Sequence, residues 1–333
     1  TGILDIETTG LNPGQNKFIL GGLYDVTKGE IHQVLAASRA EESLALAEYL
    51  KLIADVDMVV TYNGRHFDMP FIEKRRQVSA DSINCRSACL LPYDLDLYLV
   101  LSGHSPIRKL VPNMKQKTVE EYMGFWDTRA DEISGAESVR LFNHYEATKD
   151  PIAEEKILLH NNDDVRQLTR LTKAIIKSDF HKAMNKLGFP VKLDDYMVIV
   201  KKIHLEKDTL CISGIQNKSP INYMGFEFNG QPVTSMFHAN SAGRINDGST
   251  GSGTFEIKVP LVCRQGYKVA DLEAFWLEGS AAADETECTG AGFADYPGCG
   301  SGFLVIEDHG EIRYRELNHF VKAFIGRFLK EIT

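Results

Sequence analysis

The sequence predicts an α/β N-terminal part, a mixed sheet with helices on its faces, followed by a β-rich C-terminal part. Three observations carry that reading. Strand-like and helix-like apolar periods alternate from Ile3 to about Lys177, an antiparallel hairpin lies near the start, and after roughly Phe180 short strand-like runs take over. At 333 residues the chain has room for two domains of ordinary size, drawn here as 1–180 and 190–333.

Leu4-Asp5-Ile6-Glu7 reads as a strand, ended by the turn-rich Thr8-Thr9-Gly10-Leu11-Asn12-Pro13-Gly14. Phe18 to Val26 and Glu30 to Ala36 form the hairpin, with Thr27, Lys28 and Gly29 as its turn. Glu41 to Ile53 is a helix with Leu44, Leu46, Ala47, Leu50 and Ile53 inward. Met58 to Tyr62 is a buried strand, and Phe71 to Arg76 belongs to the next helix. Asp94 to Thr148 reads as mostly helical, and Ala153 to Lys177 as one long helix.

Beyond Phe180 the strand-like runs are Tyr196–Ile203, Thr209–Ile215, Tyr223–Phe228, Val233–Phe237, Thr254–Val262, Val269–Leu277 and Gly302–Ile306. Asn229-Gly230 and His309-Gly310 mark turns. Loops rich in Gly, Ser and Ala fall near 240–253 and 279–301, and Leu317 to Ile332 is a closing helix with Phe320, Phe324, Ile325 and Phe328 on one stripe. There is no internal repeat.

The bulk numbers exclude some classes. Hydrophobic residues are 43% and charged residues 25%, the mix of a soluble globular protein. No run of about 18 apolar residues is present, so no membrane partner is expected. The opening residues have neither the basic start nor the apolar stretch of a signal peptide, and read as the inside of a strand. Either residues precede Thr1, or the first strand is very short. The six cysteines form no Cys-x-x-Cys pair, which argues against a disulfide scaffold or structural zinc and makes the cytoplasm the expected compartment. A net charge of −9 speaks against a nucleic-acid coating protein, but not against a nuclease whose acids are offset by bound cations.

Asp5 and Glu7 stand two apart on a strand, so both carboxylates leave one face. Buried anions side by side repel, and divalent cations are the simplest remedy. The plainer alternative is a pair of strand-end acids facing solvent. Asp68 follows Tyr62-Asn63-Gly64-Arg65-His66-Phe67 at the start of a helix, where it serves either as a site acid or simply as an N-cap. His160 and Asp164 are four apart and share a helix face, a carboxylate for a metal beside an imidazole for a proton. A solvated helix face is the alternative there. Asp163 points about a quarter turn away.

In this order the three segments form a specific constellation. Leu4-Asp5-Ile6-Glu7-Thr8-Thr9-Gly10-Leu11 resembles the first motif of DnaQ-like, or DEDD, exonucleases. Tyr62 to Asp68 resembles the second, close to its form in family B polymerase proofreading domains, and His160 to Val165 resembles the third. With Tyr93-Asp94-Leu95 and Thr118 to Tyr122 added, the stretch looks most like the bacterial YprB-like group. The resemblance covers roughly residues 1–180.

The resemblance implies a ribonuclease H-like mixed five-stranded sheet flanked by helices, and a 3′–5′ exonuclease. Two Mg²⁺ or Mn²⁺ ions would be held by Asp5, Glu7, Asp68 and Asp164, with Asp5 bridging both and His160 as general base. The partner is nucleic acid with a free 3′ end, single-stranded; protein partners are not indicated. Thr8, Gly10 and Leu11 would line the terminal nucleotide, and Tyr62 and Asn63 would touch sugar or phosphate. Arg65, Lys74, Arg75 and Arg76 lie where backbone phosphates could pass, although the last three also suit a solvated helix end. One departure stands out. The four-residue spacing of His160 and Asp164 is that of tyrosine-bearing relatives, while the histidine branch usually has one residue more. The base assignment therefore requires that His160 point inward.

Asp94 and Asp96 read as structural or supporting acids. Tyr223, Phe226, Phe228, Phe237, Phe255 and Trp276 read as core before base-stacking surfaces. Three rival functions remain: a binding or scaffold protein on a nuclease fold, a ribonuclease H-type endonuclease, and an aspartyl phosphatase, which would want Asp-x-Asp rather than Asp5-x-Glu7.

Overall fold

The computed structural model describes residues 1–79, 91–125, 129–130, 133–239, 253–276, 293, 296 and 302–333. The chain divides into two compact units, Thr1–Phe180 and His181–Thr333. Among the described residues no helix is long and apolar enough to cross a membrane.

The first unit is a mixed five-stranded sheet flanked by helices. Its strands are β1 (Gly2–Thr8), β2 (Phe18–Asp25), β3 (Glu30–Leu35), β4 (Met58–Thr61) and β5 (Tyr93–Asp96), in spatial order β3-β2-β1-β4-β5. β1, β2 and β3 form an antiparallel meander, whereas β4 pairs parallel with both β1 and β5. Helix α1 (Glu42–Ala54) supplies the crossover from β3 to β4, and α2 (Asp68–Ser79) follows β4. One sheet face buries Leu4, Ile6 and Leu23 against Tyr49, Leu50, Ile53, Phe71 and Ile72.

The other face lies under an αα-hairpin, α6 (Gly135–Thr148) and α7 (Pro151–Leu171), after the shorter α3 (Leu97–His104), α4 (Ile107–Leu110) and α5 (Gln116–Tyr122). There Ile19 and Leu20 meet Phe142, Tyr145, Ala153 and Ile157. Lys149 at φ 57° ends α6 in the left-handed region, and Asp150 starts α7 by accepting the Ile152 amide at 3.0 Å, with Pro151 in the first turn. That cap sets the register in which α7 presents its acids.

Four expectations need correction here. Leu44, read as inward on α1, is 72% exposed, because the buried stripe runs through Ala45, Leu46, Tyr49, Leu50 and Ile53. Tyr93–Asp96 is a fully buried strand, so the mostly helical stretch read from Asp94 onward begins only at Leu97. The long helix ends at Leu171, and Thr172–Lys177 tightens into a 3₁₀ turn. Arg75 is neither a solvated helix end nor a phosphate contact, because it is buried against Glu42.

The second unit begins with α8 (Phe180–Leu187) and builds an antiparallel sheet in the order β6-β7-β8-β11-β10-β9. These strands are β6 (Phe189–Leu193), β7 (Tyr196–Glu206), β8 (Thr209–Lys218), β9 (Tyr223–Gly225), β10 (Thr234–Ala239) and β11 (Gly253–Pro260). A four-stranded sheet joins β12 (Val262–Arg264), β13 (Tyr267–Asp271), β14 (Phe303–Asp308) and β15 (Glu311–Ile312).

Val269–Leu277 is not one strand: β13 stops at Asp271, whose carboxylate caps α9 (Leu272–Trp276) by accepting the Ala274 amide at 3.1 Å. β9 likewise ends at Gly225, and Phe228 bridges Gln231 around Asn229-Gly230, both at positive φ. Helix α10 (Tyr314–Ile332) buries Phe320, Phe324 and Phe328, and Phe328 stacks on Phe237, which stacks on Phe255. Phe228, Phe237 and Phe255 are thus core, while Phe226 is exposed. The Trp276 side chain and nearly all of the two Gly/Ser-rich loops lie outside the described residues, as do Cys85, Cys89, Cys288 and Cys299.

Candidate active site

β1 is the middle strand of the first sheet, and its period of two decides what each residue meets. Leu4 and Ile6 enter the α1/α2 core, while Asp5 and Glu7 leave the face that α7 covers. The ladder with β2 shifts register between Glu7 and Thr8, a bulge of the kind that re-aims side chains beside sites. Opposite Asp5 stands Gly22, and opposite Ile6 stands Gly21. A Cβ on Gly22 would collide with the Asn161 amide, and one on Gly21 with the Tyr49 ring. The two missing side chains let α7 and α1 approach the sheet from opposite faces. Asn161, fully buried, thereby reaches the Asp5 carboxylate with its Nδ2 at 2.9 Å, and its Oδ1 accepts from Gln33 at 2.9 Å.

Asp68 starts α2, and its Oδ1 accepts the Ile6 amide of β1 at 3.2 Å, which ties the helix start to the strand bearing the other acids. The loop before it is braced from β5. Asp96 accepts the amides of Asn63 at 2.9 Å and Arg65 at 3.1 Å, and also caps α3 through Leu99. Asn63 adopts φ 67°, which asparagine tolerates better than most residues.

Asp94 accepts the Thr61 hydroxyl at 2.8 Å, while its Oδ2 is buried without a hydrogen-bond partner among the described residues. Burial drives its carboxyl up to about 8; the Thr61 bond opposes this and the Asp96 charge adds to it. A carboxyl raised in the folded state favours folding below its unfolded value, and that benefit is lost as pH rises towards about 8. Asp94→Asn keeps the shape without the charge. Its stability relative to the parent is expected to climb from pH 5 to pH 8 in denaturant titrations; a flat difference across that range would refute the buried-carboxyl account.

The remaining acids come from α7. His160 turns inward: its Nε2 lies 3.5 Å from Glu7 Oε1 and 3.6 Å from Asp164 Oδ2. Donor atoms of Glu7, His160 and Asp164 all fall within 4.8 Å of one another. Asp164 is also held by Arg129, at 2.6 Å from its Oδ1, and Arg129 pairs with buried Glu120 at 2.7 Å. Asp163 faces elsewhere and accepts the Ala130 amide at 2.6 Å.

The electrostatics bind these groups into one site. Burial raises Asp5 well above the usual carboxylate range, the charges of Asp164, Asp68 and Glu7 raise it further, and the Asn161 bond pulls it back. Burial lifts Asp68 to about 7, against its backbone hydrogen bonds and with help from Asp96 and Glu7. Crowded, part-buried carboxylates of this kind fit a divalent cation, whose charge removes the repulsion. The carboxylates of Asp5, Glu7, Asp68 and Asp164 offer oxygen donors, the type that Mg²⁺ and Mn²⁺ prefer, with the His160 nitrogen beside those of Glu7 and Asp164.

The other residues singled out in the sequence have partners of their own. The Thr8 hydroxyl donates to the Gly10 carbonyl at 2.9 Å, and Leu11 in the same loop is 82% exposed. The Tyr62 hydroxyl donates to the Met114 carbonyl at 2.8 Å, and its ring meets Tyr98 edge-on. Arg65 donates to the Asp94 carbonyl and lies over the Tyr93 ring. The sequence reading did not single out Asn161, Arg129 or Glu120, whereas Asp96, read as a structural or supporting acid, has that role through the Asn63 and Arg65 amides.

A family model of the ribonuclease H superfamily matches residues 3–176. No curated protein matches the sequence. Among solved structures, the chain is similar to the family B DNA polymerase of the hyperthermophilic archaeon Pyrobaculum calidifontis at 16% identity and a TM-score of 0.41. That match covers 63% of this chain and 33% of the polymerase. Exonuclease I is similar at 15% identity and a TM-score of 0.29, covering 64% of this chain and 54% of its own. Exonuclease I in the ExoI/SSB-Ct complex gives the same identity and coverage, with a TM-score of 0.30. The chain thus spans about a third of the polymerase and about half of exonuclease I. With its match covering more than half the sequence, this chain belongs to the ribonuclease H superfamily.

Proposed function

We propose that the chain is a metal-dependent 3′–5′ exonuclease of the DEDD type, nearest to the YprB-like group, acting on single-stranded DNA or RNA. The observation that carries this is the convergence of three distant segments. Asp5 and Glu7 from β1, Asp68 from the start of α2, and Asp164 with His160 from α7 share one electrostatic environment. A scaffold that had lost activity would have no reason to keep such mutually repelling acids part-buried.

Two Mg²⁺ or Mn²⁺ ions held by Asp5, Glu7, Asp68 and Asp164 would supply positive charge for the scissile phosphate, the attacking water and the leaving 3′ oxygen. The chain's own groups do the rest. His160 accepts the water proton at Nε2, where Glu7 and Asp164 stabilise the resulting imidazolium. Arg129 holds Asp164 in place through its other oxygen. Asn161 fixes the Asp5 carboxylate from behind. Water attacks directly, so no covalent enzyme intermediate forms. Thr8, Gly10 and Leu11 line the terminal nucleotide, with exposed Leu11 against its base, and Tyr62, Asn63 and Arg65 border the strand's path. We place the activity in the cytoplasm, where free thiols such as Cys211 and Cys263 stay reduced.

The test is digestion of 5′-labelled single-stranded DNA and RNA with Mg²⁺, with Mn²⁺, and with chelator, beside a circular strand. A ladder shortening from the 3′ end, dependent on metal and absent on the circle, is expected. Cutting of the circle would instead indicate an endonuclease, and no cutting of any substrate would leave a binding role.

A further inference from the structure

In the second unit, the hairpin of β7 and β8 assembles another group of donor atoms. His204 pairs directly across the ladder with Cys211, and Glu206 stands two residues beyond His204 on the same face. His204 Nε2 lies 2.8 Å from Glu206 Oε1, and donor atoms of His204, Glu206 and Cys211 all fall within 4.8 Å of one another. Cys211 is buried, His204 is half-buried and Glu206 is exposed, so sulfur floors the group and the carboxylate closes it from the solvent side.

A second observation concerns the imidazole. Its Nδ1 is buried and has no hydrogen-bond partner among the described residues. Its Nε2 is the atom that faces Glu206, so an ion shared with Glu206 and Cys211 would take the Nε2 lone pair and leave the ring proton on Nδ1. Lys258, opposite Cys211 on β11, turns its ammonium to Glu256 on its own strand at 3.3 Å.

We propose that His204, Glu206 and Cys211 form a transition-metal site of the zinc class, separate from the oxygen-donor site of the first unit. Imidazole nitrogen, thiolate and carboxylate are the ligand types that Zn²⁺ combines, and three of them leave its fourth position to water. Mg²⁺ has no affinity for the sulfur. Charge supports the same ion, since thiolate and carboxylate carry two negative charges beside a neutral imidazole. Binding replaces the thiol proton, which leaves to solvent.

Co²⁺ is the probe, because a cobalt–thiolate bond absorbs in the near ultraviolet and the first unit's site contains no sulfur. Titration into the full chain is expected to raise that band to one equivalent and to lose it on adding Zn²⁺. The band should persist in Asp5→Asn and Cys263→Ser proteins and vanish in Cys211→Ser. His204→Gln, at a half-exposed position that leaves the fold intact, should weaken Co²⁺ binding by at least about tenfold. Absence of the band in the parent, or an undiminished band in Cys211→Ser or His204→Gln, would overturn the assignment.

Discussion

Asp5→Asn is expected to abolish cleavage while making the metal-free protein more stable. The carboxylate stands on the central strand, where burial first, and then the charges of Asp164, Asp68 and Glu7, hold its pKa well above normal. Removing a carboxylate that would hold the proposed cations should cost about a thousandfold in rate or more, roughly 4 kcal/mol of transition-state stabilisation. The amide keeps the shape and an oxygen to accept from Asn161. It also removes one repelling charge, so thermal unfolding in chelator should move upward. The two opposite changes distinguish a catalytic acid from a merely structural one, which would lose both. A folded Asp5→Asn protein that still digests nucleic acid at the parental rate would end the nuclease assignment at this site.

The largest stability loss is expected from Glu42→Ala. Glu42 and Arg75 are 2% and 3% exposed, and the guanidinium grips the carboxylate with Nε at 2.6 Å and Nη2 at 2.5 Å. Lys17 at 2.9 Å and the Phe18 amide at 2.9 Å complete the set. Burial pushes the Glu42 carboxyl up, but the bonds from Arg75, Lys17 and Phe18 outweigh it and hold the group below its usual value. Truncation strands a buried guanidinium, which costs about 3–5 kcal/mol. A unit of this size should then melt about 10 °C lower or more. Because the carboxyl is held low when folded, its contribution is present above its unfolded pKa and lost as pH falls through the folded one. The deficit should therefore shrink in acid. Replacing both partners by apolar residues, Glu42→Leu with Arg75→Met, should recover much of the loss. A single variant as stable as the parent would show that the pair contributes little.

Much of the first unit could be read from residue order. Asp5 and Glu7 announce a shared strand face by their spacing, and His160 and Asp164 a shared helix face by theirs. The hairpin and α1 follow from period and turn chemistry. What could not be read depends on partners far away in sequence. Tyr93-Asp94-Leu95-Asp96 does not announce a buried strand until Thr61 and the amides of Asn63 and Arg65 are seen to donate to its carboxylates. Arg75 looks like its neighbours Lys74 and Arg76 until Glu42 arrives from another helix. Asn161 reads as one polar residue among several, and only the closeness permitted by Gly22 reveals its grip on Asp5. In the second unit, α9 hid inside an apolar run because a single Asp271 cap decides where strand yields to helix.

The acids of the first unit are separated by most of its length, with Asp5 near the beginning and Asp164 on its last long helix. During synthesis, therefore, a growing chain holds Asp5, Glu7 and Asp68 long before α7 brings His160 and Asp164. No fragment that stops short of that helix possesses the whole constellation. For a nuclease of the kind proposed, this order of manufacture would leave the chain without its full set of site residues until the unit is nearly complete.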